Sequence, residues 1–183
     1  AIRLHWQEPQ NPNGFILGYE LYRNETLIYS NSVETYDLTH IVRNLSFTYS
    51  DTGLDAFTYY SYRIRCRTAI GFGNTSNSTS TYTRPGTPPQ PTSPVLVLND
   101  NHTISVYLFD VSNENGPIVR YQLFVGEISI YERNTFFNSY IIRGLNYTTE
   151  YQCRVKVFTD DTHYSYSNYS NTVTTEDPTT TTT

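Results

Sequence analysis

The chain has 183 residues, a formal net charge of −5, 18 tyrosines, no methionine and a single lysine, Lys156. This acidic balance argues against nucleic acid or an anionic membrane surface as the main partner, and no apolar run approaches the roughly 20 residues that span a bilayer. The chain opens without Met or a signal peptide, which points to a piece of a longer mature protein.

Strands are predicted from the first residues onward. Ile2, Leu4 and Trp6 alternate with Arg3 and His5, and Tyr19 and Leu21 alternate with Glu20 and Tyr22. Turn signals follow at Pro12-Asn13-Gly14, Asp51-Thr52-Gly53 and Gly71-Phe72-Gly73. Prolines at 85, 88, 89, 91 and 94 then make a stiff, extended connector. Beyond it Ile104, Val106 and Leu108 repeat the first pattern, and Asn115-Gly116-Pro117 marks another turn. No stretch holds a 3.6-residue apolar period over three turns, so the reading is all-β, with sandwiches of two antiparallel sheets.

The second half repeats the first. Trp6, Pro9, Asn13, Gly14, Ile16, Tyr19 and Leu21 align without a gap on Leu108, Val111, Asn115, Gly116, Ile118, Tyr121 and Leu123. Leu54, Thr58, Tyr60 and Ile64 align on Leu145, Thr149, Tyr151 and Val155. The change of offset places an insertion in the first copy, between Arg23 and Leu54. Repeats of this length are tandem domains. The expected organisation is a module over 1–85 that lacks its N-terminal strand, a module over 86–175, and a Thr-rich linker or stalk over 176–183.

A Trp in the strand, Pro three residues later, an Asn-Gly turn and a strand with an inward Tyr together resemble the fibronectin type III module, an immunoglobulin-like sandwich. So does the Leu54-x-x-x-Thr58-x-Tyr60 block, and residues 12–23 and 49–73 resemble long arrays of such modules. The resemblance implies that Tyr60 and Tyr151 are tyrosine corners, each bonding back across a loop. Ala56 stands where the family often has Pro. The second copy has Leu108 and Val111 in place of Trp6 and Pro9, from which a smaller second core is expected.

The reactive residues point away from catalysis. His5, His40, His102 and His163 have no ligand spacing, and no phosphate loop, nucleophile elbow or metal-binding His pair occurs, so no cofactor is expected. Cys66 and Cys153 share a face with Tyr60 and Tyr151. Lying in separate cores, they do not easily reach the ~6 Å Cα spacing of a disulfide, and both are read as buried free thiols, the alternatives being a bridge between modules or a reactive site.

Asn24, Asn44, Asn74, Asn77, Asn101, Asn146 and Asn168 each open an Asn-x-Ser/Thr triplet, mostly in or beside turns, and are candidate glycosylation sites. The plain alternative is accident in a Ser/Thr-rich chain. Loops at the ends of a sandwich are the natural contact points. The candidates are 71–77, where Asn74 and Asn77 would shield the loop, and the acidic, Tyr-rich 160–166 with Asp160, Asp161, His163, Tyr164 and Tyr166. Tyr166-Ser167-Asn168-Tyr169-Ser170 is similar to the Trp-Ser-x-Trp-Ser box of cytokine receptors. Arg154 and Lys156 are placed to stack between its rings, and Arg63, Arg65 and Arg67 hold the corresponding place in the first copy. The plain alternative is an edge-stabilising ladder.

The functional expectation is non-catalytic. These are spacer and adhesion modules of a larger cell-surface or matrix protein, meeting an extracellular protein partner, with no insertion of this segment into a membrane. Two alternatives stay open. One is the ligand-binding ectodomain of a single-pass receptor, cytokine-receptor-like or a receptor phosphatase. The other is a pair of accessory modules of a secreted carbohydrate-active enzyme.

Overall fold

The computed structural model describes residues 1–32, 46–100 and 102–177; His40, Asn44, Asn101 and the threonines of 178–183 lie outside them. The chain divides into two compact units, Ala1–Arg84 and Pro85–Thr183.

The first unit contains β1 (Ile2–Gln7), β2 (Gly18–Arg23), β3 (Thr26–Ser32), β4 (Ser46–Asp51), β5 (Tyr59–Thr68), β6 (Gly71–Phe72) and β7 (Thr79–Tyr82). One sheet pairs β1 with β4; the other runs β3-β2-β5, and β5 also pairs β6 and β7. Every pairing is antiparallel. Alternation sets the faces, with Tyr19 and Leu21 buried on either side of half-buried Glu20. Asn24 and Glu25 join β2 to β3 with φ of 47° and 65°, the left-handed pair that a two-residue hairpin turn needs to follow the strand twist. At the other end of that hairpin a Cβ on Gly18 would meet the Asn31 carbonyl oxygen at 2.1 Å, so only glycine lets the strands approach there.

The second unit contains β8 (Val95–Asp100), β9 (Thr103–Tyr107), β10 (Arg120–Val125), β11 (Ile128–Arg133), β12 (Ser139–Arg143), β13 (Glu150–Tyr151), β14 (Cys153–Phe158), β15 (Tyr164–Tyr166) and β16 (Val173–Thr174). Its sheets run β11-β10-β14-β15 and β12-β9-β8, with β13 paired to β16. The pairing of β9 with β12 matches that of β1 with β4, and β8 has no counterpart among the described residues of the first unit. The edge strand β8 is closed by a side chain. Leu96 N–H donates to Asn171 Oδ1 (2.8 Å), and Asn171 Nδ2 donates to Leu96 O (2.9 Å). This amide stands in for a neighbouring strand and blunts an edge open to pairing.

Each unit has its own core. The second is a continuous apolar cluster that includes Leu108, Val111, Leu123, Cys153, Val155 and Val157. The first, among the described residues, is built around Ile2, Tyr60 and Tyr62, with Trp6, Tyr19 and Phe47 in mutual ring contact at 4.8–5.9 Å. The first unit also holds a polar group. Arg23 Nη1 reaches Asp51 at 3.1 Å and Tyr62 Oη donates to Asp51 at 2.8 Å. By alignment the second unit has Val125, Ile142 and Cys153 at those three positions.

Cys153 is fully buried, whereas Cys66, expected to be buried, is only half-buried; both are free thiols. Burial pushes the Cys153 thiol from 9.0 up to about 12 and raises Tyr62 as well. A pKa raised by folding contributes stability below the unfolded value and loses it as pH climbs towards the folded value. The urea midpoint of the second unit should accordingly fall between pH 9 and 12, and Cys153→Val should flatten the fall. A thiol reagent at pH 8 should label Cys66 alone until urea unfolds the chain; labelling of Cys153 in the native state would contradict its burial.

Candidate interaction surface

The exposed side of β10, β14 and β15 carries a ladder of alternating cations and rings. Register sets it up: Phe124 lies opposite Arg154, Arg120 opposite Phe158, and Lys156 opposite Tyr166. Arg154 Cζ sits 4.4 Å from the Tyr166 ring centre, 5.2 Å from Tyr169 and 5.7 Å from Phe124. Lys156 Nζ lies 3.7 Å from Tyr164, 4.6 Å from Phe158 and 5.0 Å from Tyr166. Arg120 covers Phe158 at 3.9 Å. Glu127 closes one end, accepting from Tyr169 Oη at 2.5 Å and pairing with Arg154. That bond raises the Tyr169 phenol.

Two serines hold the rings in place. Ser167 and Ser170 are buried. Their N–H groups donate to Val155 O and Cys153 O (2.8 Å each). In return Val155 N–H donates to Ser167 Oγ (3.0 Å) and Cys153 N–H to Ser170 Oγ (2.9 Å). The hydroxyls replace the carbonyls of a regular strand, so residues 166–170 lie along β14 and turn both tyrosines outward. Asn168 of this segment is exposed and accepts from Gln90 Nε2 at 3.3 Å.

The loop between β14 and β15 splits the proposed contact residues. Asp160 is occupied internally: Oδ1 accepts from Thr162 N–H, Thr162 Oγ1 and His163 N–H, each at 2.8 Å, and Oδ2 meets His163 Nδ1 at 2.8 Å. The bond to His163 leads in holding the Asp160 carboxyl well below the usual range. Asp161 has a side chain 95% exposed, 3.4 Å from Arg120. Tyr164 and Tyr166 belong to the ladder. The loop therefore presents Asp161 and the outer side of Tyr164, with Asp160 and His163 as its internal brace. Its base is fixed by Thr159 Oγ1, which donates to Gly86 O at 2.5 Å.

The first unit has a shorter version. Arg65 lies 5.4 Å from Tyr22 and 4.2 Å from Phe72, and its guanidinium pairs with Glu20 at 2.7 Å. Arg63 reaches Glu25 at 3.5 Å. Sequence reasoning placed Arg154, Lys156, Tyr166 and Tyr169 beside one another and missed Phe158 on β14 itself, as well as Arg120, Phe124 and Glu127, which join through the pairing of β10 with β14.

Tyr60 Oη accepts from Asp55 N–H at 3.1 Å and Tyr151 Oη from Asn146 N–H at 2.8 Å, five residues upstream in each case. Of the proposed glycosylation sites, Asn24 lies in the β2–β3 turn, Asn74 and Asn77 in the exposed run before β7, and Asn146 in the corner loop. Among the described residues no group of three His, Cys, Asp or Glu side chains is placed to hold a metal ion, and no helix is long and apolar enough to cross a membrane.

The fibronectin type III domain profile matches residues 1–82. Protein sidekick-1 of Gallus gallus is 28% identical over 186 residues, 96% of this chain and 8% of that protein. Usherin of Homo sapiens is 29% identical over 169 residues, 87% of this chain and 3% of that protein. A phosphatidylinositol phosphatase of Rattus norvegicus is 27% identical over 165 residues, 86% of this chain and 7% of that protein. The chain thus spans less than a tenth of each. The crystal structure of titin domains A168-A170 shares the fold, with a TM-score of 0.53 at 13% identity, covering 96% of this chain and 59% of that one.

The ladder yields a stability test. Arg154→Met keeps the aliphatic stem and removes the cation between Tyr166 and Tyr169. It should lower the stability of the second unit by about 1–2 kcal/mol in urea unfolding, while Arg154→Lys should lose less. An unchanged midpoint for Arg154→Met would make the ladder ornamental.

Proposed function

Residues 1–82 belong to the fibronectin type III family and the second unit repeats that module; from this premise we propose that the pair is a non-catalytic spacer and protein-interaction segment of a larger cell-surface or matrix protein. The carrying observation is the connector. Arg84 O accepts from Phe57 N–H at 3.0 Å, inside the first unit. Gly86 donates to Asn115 O at 2.8 Å and accepts from Thr159 Oγ1, inside the second. Pro85 alone separates those two residues, and its ring fixes φ. Asn115 Nδ2 further donates to Thr87 O and Ser165 Oγ to Pro89 O, each at 2.8 Å, so the proline-rich run is held by the second module. The proline-rich run thus belongs to the second module, and contact would be made by loop tips such as Asp161 and Tyr164. The long relatives, each matched over a small fraction of its length, support a place in an extended array outside the cell.

One measurement tests this reading. Secreted from a eukaryotic host, the chain should lose mass on glycosidase treatment at one or more of its Asn-x-Ser/Thr sites; no loss at any site would remove the extracellular assignment.

A further inference from the structure

On the outer side of the first module three rings lie together in water: Phe57, Tyr59 and Tyr82 are 39%, 52% and 58% exposed. Tyr82 meets Phe57 at 5.5 Å and Tyr59 at 5.1 Å. Among the described residues no arginine or lysine stacks on these three, whereas Tyr22, Tyr60 and Phe72 of the same module each lie near an arginine. An exposed cluster of this kind marks a contact surface. We propose that it is the platform for an N-linked glycan carried by Asn24 of the same module, the innermost sugar rings lying against the three aromatic faces.

Asn24 and Tyr82 flank β5: Asn24 follows Arg23, which pairs with Tyr62, and Tyr82 pairs with Tyr59 along the other edge. The Asn24 N–H donates to Ser61 O at 2.9 Å, and its Oδ1 accepts from Ser61 N–H at 2.9 Å and Ser61 Oγ at 3.2 Å. Both side-chain bonds use the oxygen, which leaves Nδ2, the atom that would carry the sugar. Ser61 and Tyr59 share the outer face of β5, two residues and about 7 Å apart, and Tyr82 is the cross-strand partner of Tyr59. Two sugar rings extending from Nδ2 cover that distance. A pyranose offers a face of C–H groups to the electron-rich ring faces, and its hydroxyls remain in water.

The second module is an internal control. Its β10–β11 turn has Gly126 where Asn24 stands, and Gly126 N–H makes the same bond, to Gln152 O at 3.0 Å. The three ring positions are Thr148, Glu150 and Thr174 there, Glu150 pairing with Thr174 as Tyr59 pairs with Tyr82. The acceptor and the platform are present together in one copy and missing together from the other. Phe57 sharpens the point. Its φ is 45° and that of Thr148 is 48°, so the turn imposes the left-handed backbone in both copies and does not itself call for an aromatic residue.

The proposal rests on the secretory reading above, and the test separates the two. The chain is secreted from mammalian cells and each sequon is mapped by mass after enzymatic deglycosylation in heavy-oxygen water. Proton spectra of the intact glycoprotein should show Asn24-linked sugar protons moved upfield by ring currents. Thr26→Val abolishes the acceptor triplet while keeping the Asn24 bonds to Ser61. It should lower the melting temperature of the first module by several degrees in the native background. It should change nothing in a Tyr59→Glu, Tyr82→Thr background, which carries the second module's residues. Asn24 bare while other sites are occupied would overturn the platform and leave the extracellular reading standing. So would unshifted sugar protons, or an equal loss in both backgrounds. No glycan at any site would sink both.

Discussion

The second module depends on two hydroxyl groups. Strand β14 is bonded on one side by β10, and on its other side the N–H groups of Cys153 and Val155 are satisfied by Ser170 and Ser167. A buried N–H without a partner costs about 1–3 kcal/mol, so those serines cannot move without unsettling the core strand. With them fixed, Tyr166 and Tyr169 stand on either side of Arg154, Glu127 closes the stack, and Asn168 reaches Gln90 of the connector. Hydrogen bonding in the interior thereby sets the pattern of charge on the surface.

The ladder also answers a problem of composition. Several cations on one sheet face repel each other, and exposed rings invite association. Interleaving them lets each ring face a positive charge and each aliphatic stem cover apolar surface. The first module uses the same device in shorter form around Arg65, with Glu20 held ionised by bonds from Tyr22 and Arg65.

Much of the fold was legible because it follows from local rules. Period-two alternation placed Tyr19, Leu21, Ile104 and Val106 inside, and Asn-Gly pairs marked turns. The ladder was half legible. Arg154, Lys156 and the Tyr166–Tyr169 pair are near neighbours in sequence, whereas Arg120 and Phe124 join them across a register of some thirty residues that no local pattern encodes. The buried Arg23–Asp51–Tyr62 group was invisible for the same reason, since each member alone reads as an ordinary strand residue.

Ser170 has a consequence in time. It is the third residue of the triplet that begins at Asn168, and in the folded chain its hydroxyl is buried, accepting from Cys153 and donating to Asn171 O at 2.8 Å. An enzyme that must engage that hydroxyl finds it only while the segment is still open. If Asn168 is a glycosylation site, its modification would be a race between the transferase and the closing of the sandwich. The triplet at Asn77 ends at Thr79, in an exposed run, and would stay accessible after folding. Occupancy at Asn168 would record how fast this module folds on leaving the ribosome.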